Sequence, residues 1–513
     1  GGAIYLQETN ITDIRAANFN HNLAQTSGAG IDISKGKLLW ILISNFTKNK
    51  AAKFGGGFFT TKCRIIKTIS IVCSQNNALI YGGCAYNQKA GKIYNVNNIY
   101  VSNIAKYGGG IFISSSRLTQ FTNCTLTANG VSEDGGGCFT SSCKMVSLFF
   151  CRFIKNVAPN YGGGSNIQQG EKAIIKHTVF IKNIAKYGGA VCFWILESVL
   201  ITSNHISNNI ANIDGGGYYI YKSDAAKCFR NLLQRNWAAH FGAGSMEESG
   251  IEAFYVNNSY IDNTAKCGGG LALLGSAVVH ISHCLFQENN AATYGGAGVC
   301  GKTVDVIFAL NNTYIQNSAK QGGGFYINGS RLFETKISKF ISNKGLHGSG
   351  GGIYCNSTDM AKVINCTFVS NFAHKHGAGI YFHQATLGKS SECKLLRKKR
   401  HSQSGGQKVN LSQLHLNTNS SFIGNSPQND WSSGKRLYDC KHFYLLQCSF
   451  IKNKATFSGG GVYSEKVNVF LAANNKYPEN YGKYGVAIYC DSCQNLYVYH
   501  SFFSNARGTD QNY

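Results

Sequence analysis

A sequence phrase of about 27 residues recurs along the whole chain and constrains the fold more than any other feature. It reads as an aromatic or aliphatic residue, two variable residues, Asn, a variable residue, Ala, a few polar residues, a glycine-rich triplet and an apolar alternation, as in Tyr100–Ile113 (YVSNIAKYGGGIFI). Further copies begin at Phe153, Phe180, Tyr260, Tyr314, Phe368 and Phe450. A fixed period of this length indicates a repeat architecture in which each copy stacks on its neighbours.

The first residue of each copy marks the register of the repeat. We assign these markers to residues 19, 46, 73, 100, 126, 153, 180, 206, 233, 260, 286, 314, 340, 368, 422, 450, 477 and 502. Successive markers are 25–28 residues apart, except for a step of 54 residues from Phe368 to Phe422. That step fits two periods with one copy too degraded to recognise, so the frame continues over all 513 residues.

Each period contains three short stretches with the alternation of a β-strand. One follows the glycines (Gly110–Ser114), one lies near Leu118–Phe121, and one leads into the next marker (Cys151–Ile154). Apolar and polar residues alternate there with a period of two, which is typical of strands. We therefore predict an all-β fold, a single-stranded parallel β-helix of about 19 coils with three short strands per coil, on the order of 90 Å long at about 4.8 Å per coil.

The repeated residues have structural explanations in such a coil. The marker aromatic residues are predicted to stack inward, and the glycines to allow positive φ and close backbone approach at a corner. Asn three residues after the marker is predicted to turn inward and to form a ladder of amide hydrogen bonds between coils. The predicted ladder residues are Asn103, Asn156, Asn183, Asn263, Asn317, Asn371 and Asn453.

These motifs resemble the repeats of the polymorphic outer-membrane proteins. FIKN at residues 180–183 with GGAV at 188–191, and GGAI at 1–4, carry the resemblance. It implies the right-handed parallel β-helix of those surface-displayed adhesins, which has a pectin-lyase-like fold. The chain departs from that family in its many Cys residues and glycosylation sequons and in preferring GGG to GGA. A eukaryotic secreted relative with similar repeats is an alternative.

The frame divides the chain at one place. Residues 1–387 and 422–513 are predicted as coils of the same β-helix, and 388–421 as a basic, Gly/Ser-rich loop insertion with a degenerate coil. Arg397–Arg400 (RKKR) suggests a solvated loop, a processing site or a patch for acidic glycans. The position after the marker is often aliphatic, and we predict it as core, with an outward ladder for lateral contacts as the alternative.

Cysteines and sequons favour the secretory route. The 19 Cys residues show no paired zinc-binding motif and fit an oxidising compartment. We predict disulfides at Cys124–Cys151, Cys366–Cys393 and Cys490–Cys493, with a column of buried thiols as the alternative. Asn-x-Ser/Thr sequons, which an Asn-rich chain also produces by chance, give the candidate glycosylation sites Asn10, Asn45, Asn123, Asn257, Asn311, Asn328, Asn356, Asn365, Asn410 and Asn419.

Catalytic chemistry finds little support in the sequence. Pectate lyases and polygalacturonases share the β-helix but use stacked acids on adjacent coils, whereas only 24 acidic residues are spread over this chain. Asp262 and Glu288 are in register but at an outward position. His374 and His376 lack a third metal ligand nearby in sequence, and the segment starting at His347 only weakly resembles a polygalacturonase fragment. We predict no catalytic, cofactor or metal site.

The net charge of +25 favours anionic partners such as acidic polysaccharides, but dispersed Lys and Arg argue against nucleic acid. No run is long enough to span a membrane, and GGAIYL already lies inside a repeat, so we expect the chain to be part of a longer precursor. The predicted function is a non-enzymatic, glycosylated structural β-helix of an extracellular fibre or surface coat, self-associating head to tail. A glycan-binding surface adhesin is the alternative, and a polysaccharide-degrading enzyme the third.

Overall fold

The protein is described by a computed structural model that covers residues 2–292, 295–396, 406–425, 434–456 and 458–508. Within these ranges the regular elements are β-strands, without a helix, and the strands pair in parallel. Contacts divide the chain into two compact units, unit 1 (Gly1–Phe254) and unit 2 (Tyr255–Tyr513). Each unit is a parallel β-solenoid, with about 18 turns in total. The predicted all-β solenoid is confirmed, although the repeat frame gives no sign of the division into two units.

In each turn, sheet A contributes the two strands after the glycine triplet, sheet B the strand with the marker, and sheet C the short strand after the ladder Asn. In unit 1, the sheet A strands are Ile4–Gln7, Ile11–Arg15, Ile31–Ser34, Leu38–Leu42, Phe58–Thr61, Ile65–Ile69, Ala85–Gln88, Lys92–Val96, Ile111–Ser114, Leu118–Thr122, Cys138–Ser141, Met145–Phe149, Ser165–Lys176, Val191–Thr202, Tyr218–Phe229 and Ser245–Glu248, followed by Glu252–Val256 at the border of the unit. The sheet B strands are Asn18–Asn20, Asn45–Thr47, Val72–Ser74, Ile99–Val101, Thr125–Thr127, Arg152–Ile154, Val179–Ile181, His205–Ser207 and Leu232–Gln234. The sheet C strands are Leu23–Ala24, Lys50–Ala51, Asn77–Ala78, Ile104–Tyr107, Gly130–Asp134, Ile184–Tyr187, Ile210–Asp214 and Trp237–Ala238.

Unit 2 repeats the same arrangement. Its sheet A strands are Leu271–Leu274, Val278–Ser282, Val299–Lys302, Val306–Leu310, Phe325–Lys336, Ile353–Ile364, Ile380–Ser391, Gln407–Asn410, Leu414–Thr418, Lys435–Leu446, Val462–Ala473, Ile488–Asp491 and Asn495–Tyr499. The sheet B strands are Ser259–Ile261, Leu285–Gln287, Thr313–Ile315, Lys339–Ile341, Thr367–Val369, Lys394–Leu396, Ser421–Ile423, Ser449–Ile451, Lys476–Pro478 and Phe502–Ser504. The sheet C strands are Thr264–Ala265, Asn290–Ala291, Ser318–Ala319, Lys344–Gly345 and Phe372–Ala373, while Tyr481–Gly482 and Arg507–Gly508 form a separate two-stranded sheet at the equivalent position.

The marker residues form a buried, partly aromatic column in each unit. In unit 1, Phe153 pairs with Phe180 one turn on, and their rings stack with centroids 4.8 Å apart. In unit 2, Phe286 and Tyr314 stack at 5.0 Å. Parallel pairing without a register shift places equivalent side chains on top of one another, so one apolar residue per turn is enough to build a continuous core.

Two details of the marker frame change. The degraded copy is at Leu395, which pairs with Phe368 on one side and Phe422 on the other. The last marker is Phe503 rather than Phe502, because the ring of Phe503 stacks on Tyr477 at 5.0 Å. A leucine conserves burial but not the aromatic signature, which is why the sequence pattern misses that turn.

The predicted insertion at 388–421 is largely regular coil. Its first residues lie in the strand Ile380–Ser391 and in Lys394–Leu396, and its last residues lie in Gln407–Asn410, Leu414–Thr418 and Ser421–Ile423. Polar composition misleads here because outward positions of a coil are polar whether or not the backbone pairs. Arg397–Arg400 lies outside the described residues.

The aliphatic residues that follow the markers face outward and are half-buried, so their prediction as core is wrong. They are Ile154, Ile181, Ile261, Ile315, Ile341 and Val369. Each follows a buried marker within one strand, and successive strand residues point to opposite faces.

Candidate functional site

The ladder of Asn side chains lies at the corner between sheets B and C. Asn156 is fully buried, its Nδ2 donates to Asn183 Oδ1 (3.0 Å) and to the Leu126 carbonyl (2.8 Å), and its Oδ1 accepts from the backbone N and Nδ2 of Asn129 (both 3.0 Å). In unit 1 the column consists of Asn22, Asn49, Asn76, Asn103, Asn129, Asn156, Asn183, Asn209 and Asn236. In unit 2 it consists of Asn263, Asn289, Asn317, Asn343 and Asn371, and further along of Asn425, Asn453 and Asn480. Along these runs the ladder satisfies buried backbone groups from one turn to the next, which is a structural role.

A second inward polar column contains the cysteines predicted to pair, and two of the three predicted disulfides do not form. Cys124, Cys151, Cys366 and Cys393 are free and buried. The thiol of Cys151 donates to the Phe149 carbonyl (3.3 Å), as the hydroxyl of Thr178 does to the Lys176 carbonyl in the next turn. Stacked side chains project in parallel rather than towards each other, so a thiol here replaces a Ser, Thr or Asn as a hydrogen-bond donor instead of forming a cross-link.

Three disulfides are present, and two of them were not predicted. Cys490 and Cys493 are joined, as are Cys73 with Cys84 and Cys267 with Cys300. Cys73 occupies a marker position, and Cys84 the third position of a glycine triplet. A Cys at each of these two positions, where the repeat has an aromatic residue and a glycine, was the sequence feature that could have predicted this disulfide.

On the outer side of the coil, aromatic residues that precede a glycine triplet pack on the second residue of the following strand, as Phe54 does on Phe59 and Tyr81 on Tyr86. In unit 1 the buried side chains Tyr86, Phe112 and Phe139 form an outer cluster with Tyr81 and Tyr107. Tyr81 stacks on Phe112 of the next turn with centroids 4.6 Å apart. The first glycine of the triplet, Gly108, has φ +64°, and a Cβ there would lie 2.6 Å from the Ile111 carbonyl oxygen. We call this region the outer corner.

In unit 1 the outer corner also contains carboxylates, among them those of Asp134 and Asp214. Asp134 Oδ1 accepts the backbone N–H of Tyr161 (3.2 Å), and Asp214 Oδ1 accepts that of Phe241 (2.9 Å). Burial raises the pKa of Asp134 and that of Asp214 to about 6. The two acids are three turns apart, about 14 Å at the spacing of parallel strands, whereas glycosidase carboxylates lie about 5–9.5 Å apart. They do not form such a pair.

A groove of about 430 Å³ on unit 1 contains three stacked acids that the sequence analysis missed. Glu171, Glu197 and Asp224 occupy the same exposed position on three consecutive turns, and the Lys144 ammonium lies 2.7 Å from Glu171. Their spacing of 26 and 27 residues, one repeat each, could have predicted the stack from the sequence. Among the described residues, no group of three or more His, Cys, Asp or Glu is arranged to hold a metal ion.

Unit 2 has a cationic counterpart, the basic corner, formed by His376, Tyr381, His383, Lys408 and Arg436. Lys408 Nζ lies 6.0 Å from the centre of the Tyr381 ring, and the rings of His376 and His383 lie 6.3 and 6.0 Å from it. Burial and then the charges of Lys408, Arg436 and Lys375 lower the pKa of His376 to about 3. Burial and Lys408 also lower the pKa of His383. Burial first, and nearby positive charge second, therefore disfavour the protonated form of both imidazoles.

Arg436 has a carboxylate nearby. Its guanidinium lies 3.9 Å from Glu465 and 5.3 Å from the centre of the Tyr463 ring. At the edge of the same cluster, the Asn410 amide and His383 Nδ1 are 2.8 Å apart. The arrangement combines cationic, aromatic and amide groups, of which Tyr381 and Lys408 are themselves buried.

The remaining predicted residues do not converge. Asp262 and Glu288 are exposed residues of unit 2 with positive φ (+53° and +54°) on successive turns. His374 and His347 are exposed, while His376 is half-buried in the basic corner. In this part of the chain, positive φ marks the exposed corner positions.

The sequon asparagines fall into two groups. Those exposed are Asn10, Asn45, Asn123, Asn257, Asn311, Asn365 and Asn419. Asn328, Asn356 and Asn410 are half-buried, and the amide of Asn356 donates to Asn328 Oδ1 (2.6 Å).

Comparison with known proteins supports the fold. Residues 109–286 match the family model of the right handed beta helix region. The coil is therefore a right-handed parallel β-helix, as the sequence motifs predict. The chain is also 31% identical over 147 residues to the metabotropic glutamate receptor-like protein R of Dictyostelium discoideum. That match covers 28% of this chain and spans only 8% of the relative. Within the described part of the chain, no helix has the length and apolarity needed to cross a lipid bilayer.

Proposed function

We propose that this β-helix is a non-enzymatic structural module of an extracellular fibre or surface coat. The proposal is supported mainly by one observation: the inward side chains of successive turns stack on one another. In both units the buried Asn ladder and the stacked marker residues join runs of neighbouring turns. Solenoids of this kind gain their stability from nearest-neighbour interfaces, so length can grow without a new core.

Two further observations support a location outside the cell. Disulfides such as Cys73–Cys84 are typical of oxidising compartments. A relative whose name describes it as receptor-like contains a segment similar to this chain. The resemblance of FxxN and GGA motifs to polymorphic outer-membrane protein repeats also fits surface display. Head-to-tail pairing of parallel sheet edges would extend the solenoid into a filament, because an unpaired edge accepts another strand.

Electron microscopy of the native material, with antibody labelling of this chain, tests the proposal. We expect label on extracellular fibres or coats, with a spacing along the fibre that matches stacked solenoids. Label confined to the cytoplasm, or isolated particles without end-to-end contacts, would contradict the structural role. A lyase or hydrolase assay against uronate-containing polysaccharides, repeated with Asp214→Asn, tests the non-enzymatic part, and activity lost in that variant would overturn it.

A second candidate function is adhesion to anionic glycans through the basic corner of unit 2. Lys408 and Arg436 lie together at this corner and give it a positive potential, which attracts acidic groups.

Binding to immobilised polygalacturonate and dextran sulfate, with neutral dextran as the blank, tests this candidate. Lys408→Gln is expected to weaken binding about tenfold at low salt, since one charge-assisted contact contributes roughly 1.5–3 kcal/mol. Lys441→Gln, at an exposed position outside the corner, is the matched control. Equal losses in the two variants would mean that only net charge matters.

A further inference from the structure

Four of the sequon asparagines in unit 2 occupy the same position on every second turn. Asn257, Asn311, Asn365 and Asn419 are each 54 residues apart. Each follows the second strand of sheet A, is exposed, and has positive φ, with values of +55°, +50°, +48° and +49° in that order. Asn is one of the few residues with a side chain that tolerates this backbone conformation.

At these positions the backbone is fixed by hydrogen bonds to the next turn, whereas the side chain is not hydrogen-bonded. The N–H of Asn311 donates to the Lys336 carbonyl (2.9 Å), and that of Asn365 to the Ser391 carbonyl (2.9 Å). The N–H groups of Asn257 and Asn419 bond in the same way to Ser282 and Leu446 (3.0 and 3.1 Å). Among the described residues, none of the four side chains makes a hydrogen bond, so each amide points into solvent from a rigid turn.

We infer that these four residues carry N-linked glycans and form a glycan row along one edge of unit 2. The inference rests on the proposed extracellular location. In each reaction a bond forms between Asn Nδ2 and the anomeric carbon of an oligosaccharide. The bond from that carbon to the diphosphate of a lipid-linked donor breaks, the diphosphate leaves, and Nδ2 loses one proton.

The spacing gives the row a physical consequence. Two turns correspond to about 9.6 Å at the strand spacing of a parallel sheet. The turns between the sites carry His283, Ile337 and Glu392 at the same position, all with positive φ. Ile337 is 50% exposed, and glycans on Asn311 and Asn365 would cover it. A lateral partner of unit 2 must then dock on another face.

The half-buried sequons provide an internal contrast. Asn328 and Asn356 pair with each other in the sheet A register, and the Asn356 amide is bound to Asn328 Oδ1. The Asn410 amide lies 2.8 Å from His383 Nδ1. A glycan on these amides would break side-chain contacts between neighbouring turns, whereas glycans on the row break none.

The test is site mapping on the full chain, secreted from eukaryotic cells behind an added signal peptide. Enzymatic deglycosylation in ¹⁸O water followed by peptide mass spectrometry reads the occupancy of each Asn. We expect the four row sites to be occupied at least about fivefold more than Asn328, Asn356 and Asn410, because glycans are confined to exposed surface. Ser259→Ala, Thr313→Ala, Thr367→Ala and Ser421→Ala, combined, remove the row sequons without changing the Asn residues and should lower the mass by four glycans.

The outcomes separate the row from the proposed function. Bare row sites beside occupied Asn10 and Asn45 would overturn the row, as would equal occupancy of the half-buried sites. Because secretion is imposed in this experiment, neither result depends on where the native protein resides. The native location is decided by the labelling experiment described above, so the two proposals can fail separately.

Discussion

Asn209 donates two hydrogen bonds to Asn236 one turn away, from its backbone N and from its Nδ2 to the same Oδ1 atom, both at 3.0 Å. The Asn209 Nδ2 also donates to the Phe180 carbonyl (3.0 Å), and the Asn209 side chain is fully buried. The adjacent Asn208 is exposed with φ +56°. Two neighbouring residues of the same type therefore have opposite roles.

We predict that Asn209→Asp destabilises unit 1 by at least about 3 kcal/mol, because it removes the Nδ2 donor and buries a carboxylate against carbonyl oxygens. Asn208→Asp makes the same chemical change at an exposed position that tolerates positive φ, and should alter the free energy of unfolding by less than about 0.5 kcal/mol. Urea unfolding followed by circular dichroism measures both. Similar losses in the two variants would show that the ladder contributes nothing specific.

The repeat frame predicted the fold because parallel stacking converts a sequence period directly into a spatial column. Phe153 on Phe180 and Asn156 on Asn183 follow from a spacing of 27 residues alone. Contacts within one turn do not follow from that spacing. Cys73 reaches Cys84 across the coil, at a distance that depends on how the turn bends. The stacked acids Glu171 and Glu197 had the right spacing but lay in a position without a recognised motif.

The disulfide between Cys73 and Cys84 takes the place of an aromatic residue facing a glycine. Cys73 is paired with Phe46 and Tyr100 of the neighbouring turns. We predict that Cys73→Ala with Cys84→Ala lowers Tm, with a loss of about 2–3 kcal/mol from the missing cross-link. Cys73→Phe with Cys84→Gly restores the repeat consensus and should recover most of that loss by ring stacking. Differential scanning calorimetry compares the pairs, and a Phe/Gly pair as unstable as the Ala pair would refute the equivalence.

The buried carboxyl group of Asp214 predicts a pH dependence of unit 1. Its pKa in the folded chain is about 6 because of burial, above the value of about 3.9 for an unfolded Asp. Between these values the folded state binds more protons, so stability is highest below about pH 4 and falls as the pH rises through 6. We expect a loss of up to about 2 kcal/mol across this window.

Asp214→Asn keeps an oxygen for the Phe241 N–H and should reduce this loss, while Asp224→Asn, at an exposed position, should leave it unchanged. Denaturant unfolding at pH 4.5 and 7.5 measures the difference. An unaltered pH profile in Asp214→Asn would assign the dependence to other groups, of which Asp134 is the first to test.

The buried amine of Lys435 predicts the opposite pH dependence in unit 2, a stability that rises with pH. Its side chain is fully buried, Nζ has no hydrogen-bond partner among the described residues, and it lies 4.7 Å from the centre of the Phe443 ring. Burial lowers its pKa to about 7, against about 10.4 in an unfolded chain. The unfolded state therefore binds more protons above pH 7, and stability rises with pH, by about 2 kcal/mol between pH 7 and 9.

Lys435→Met fills similar volume without the amine and should be more stable at pH 7 by about 3 kcal/mol, with no rise towards pH 9. Lys441→Met, at an exposed position, should retain the rise, and the same rise in Lys435→Met would rule out the buried amine as its source.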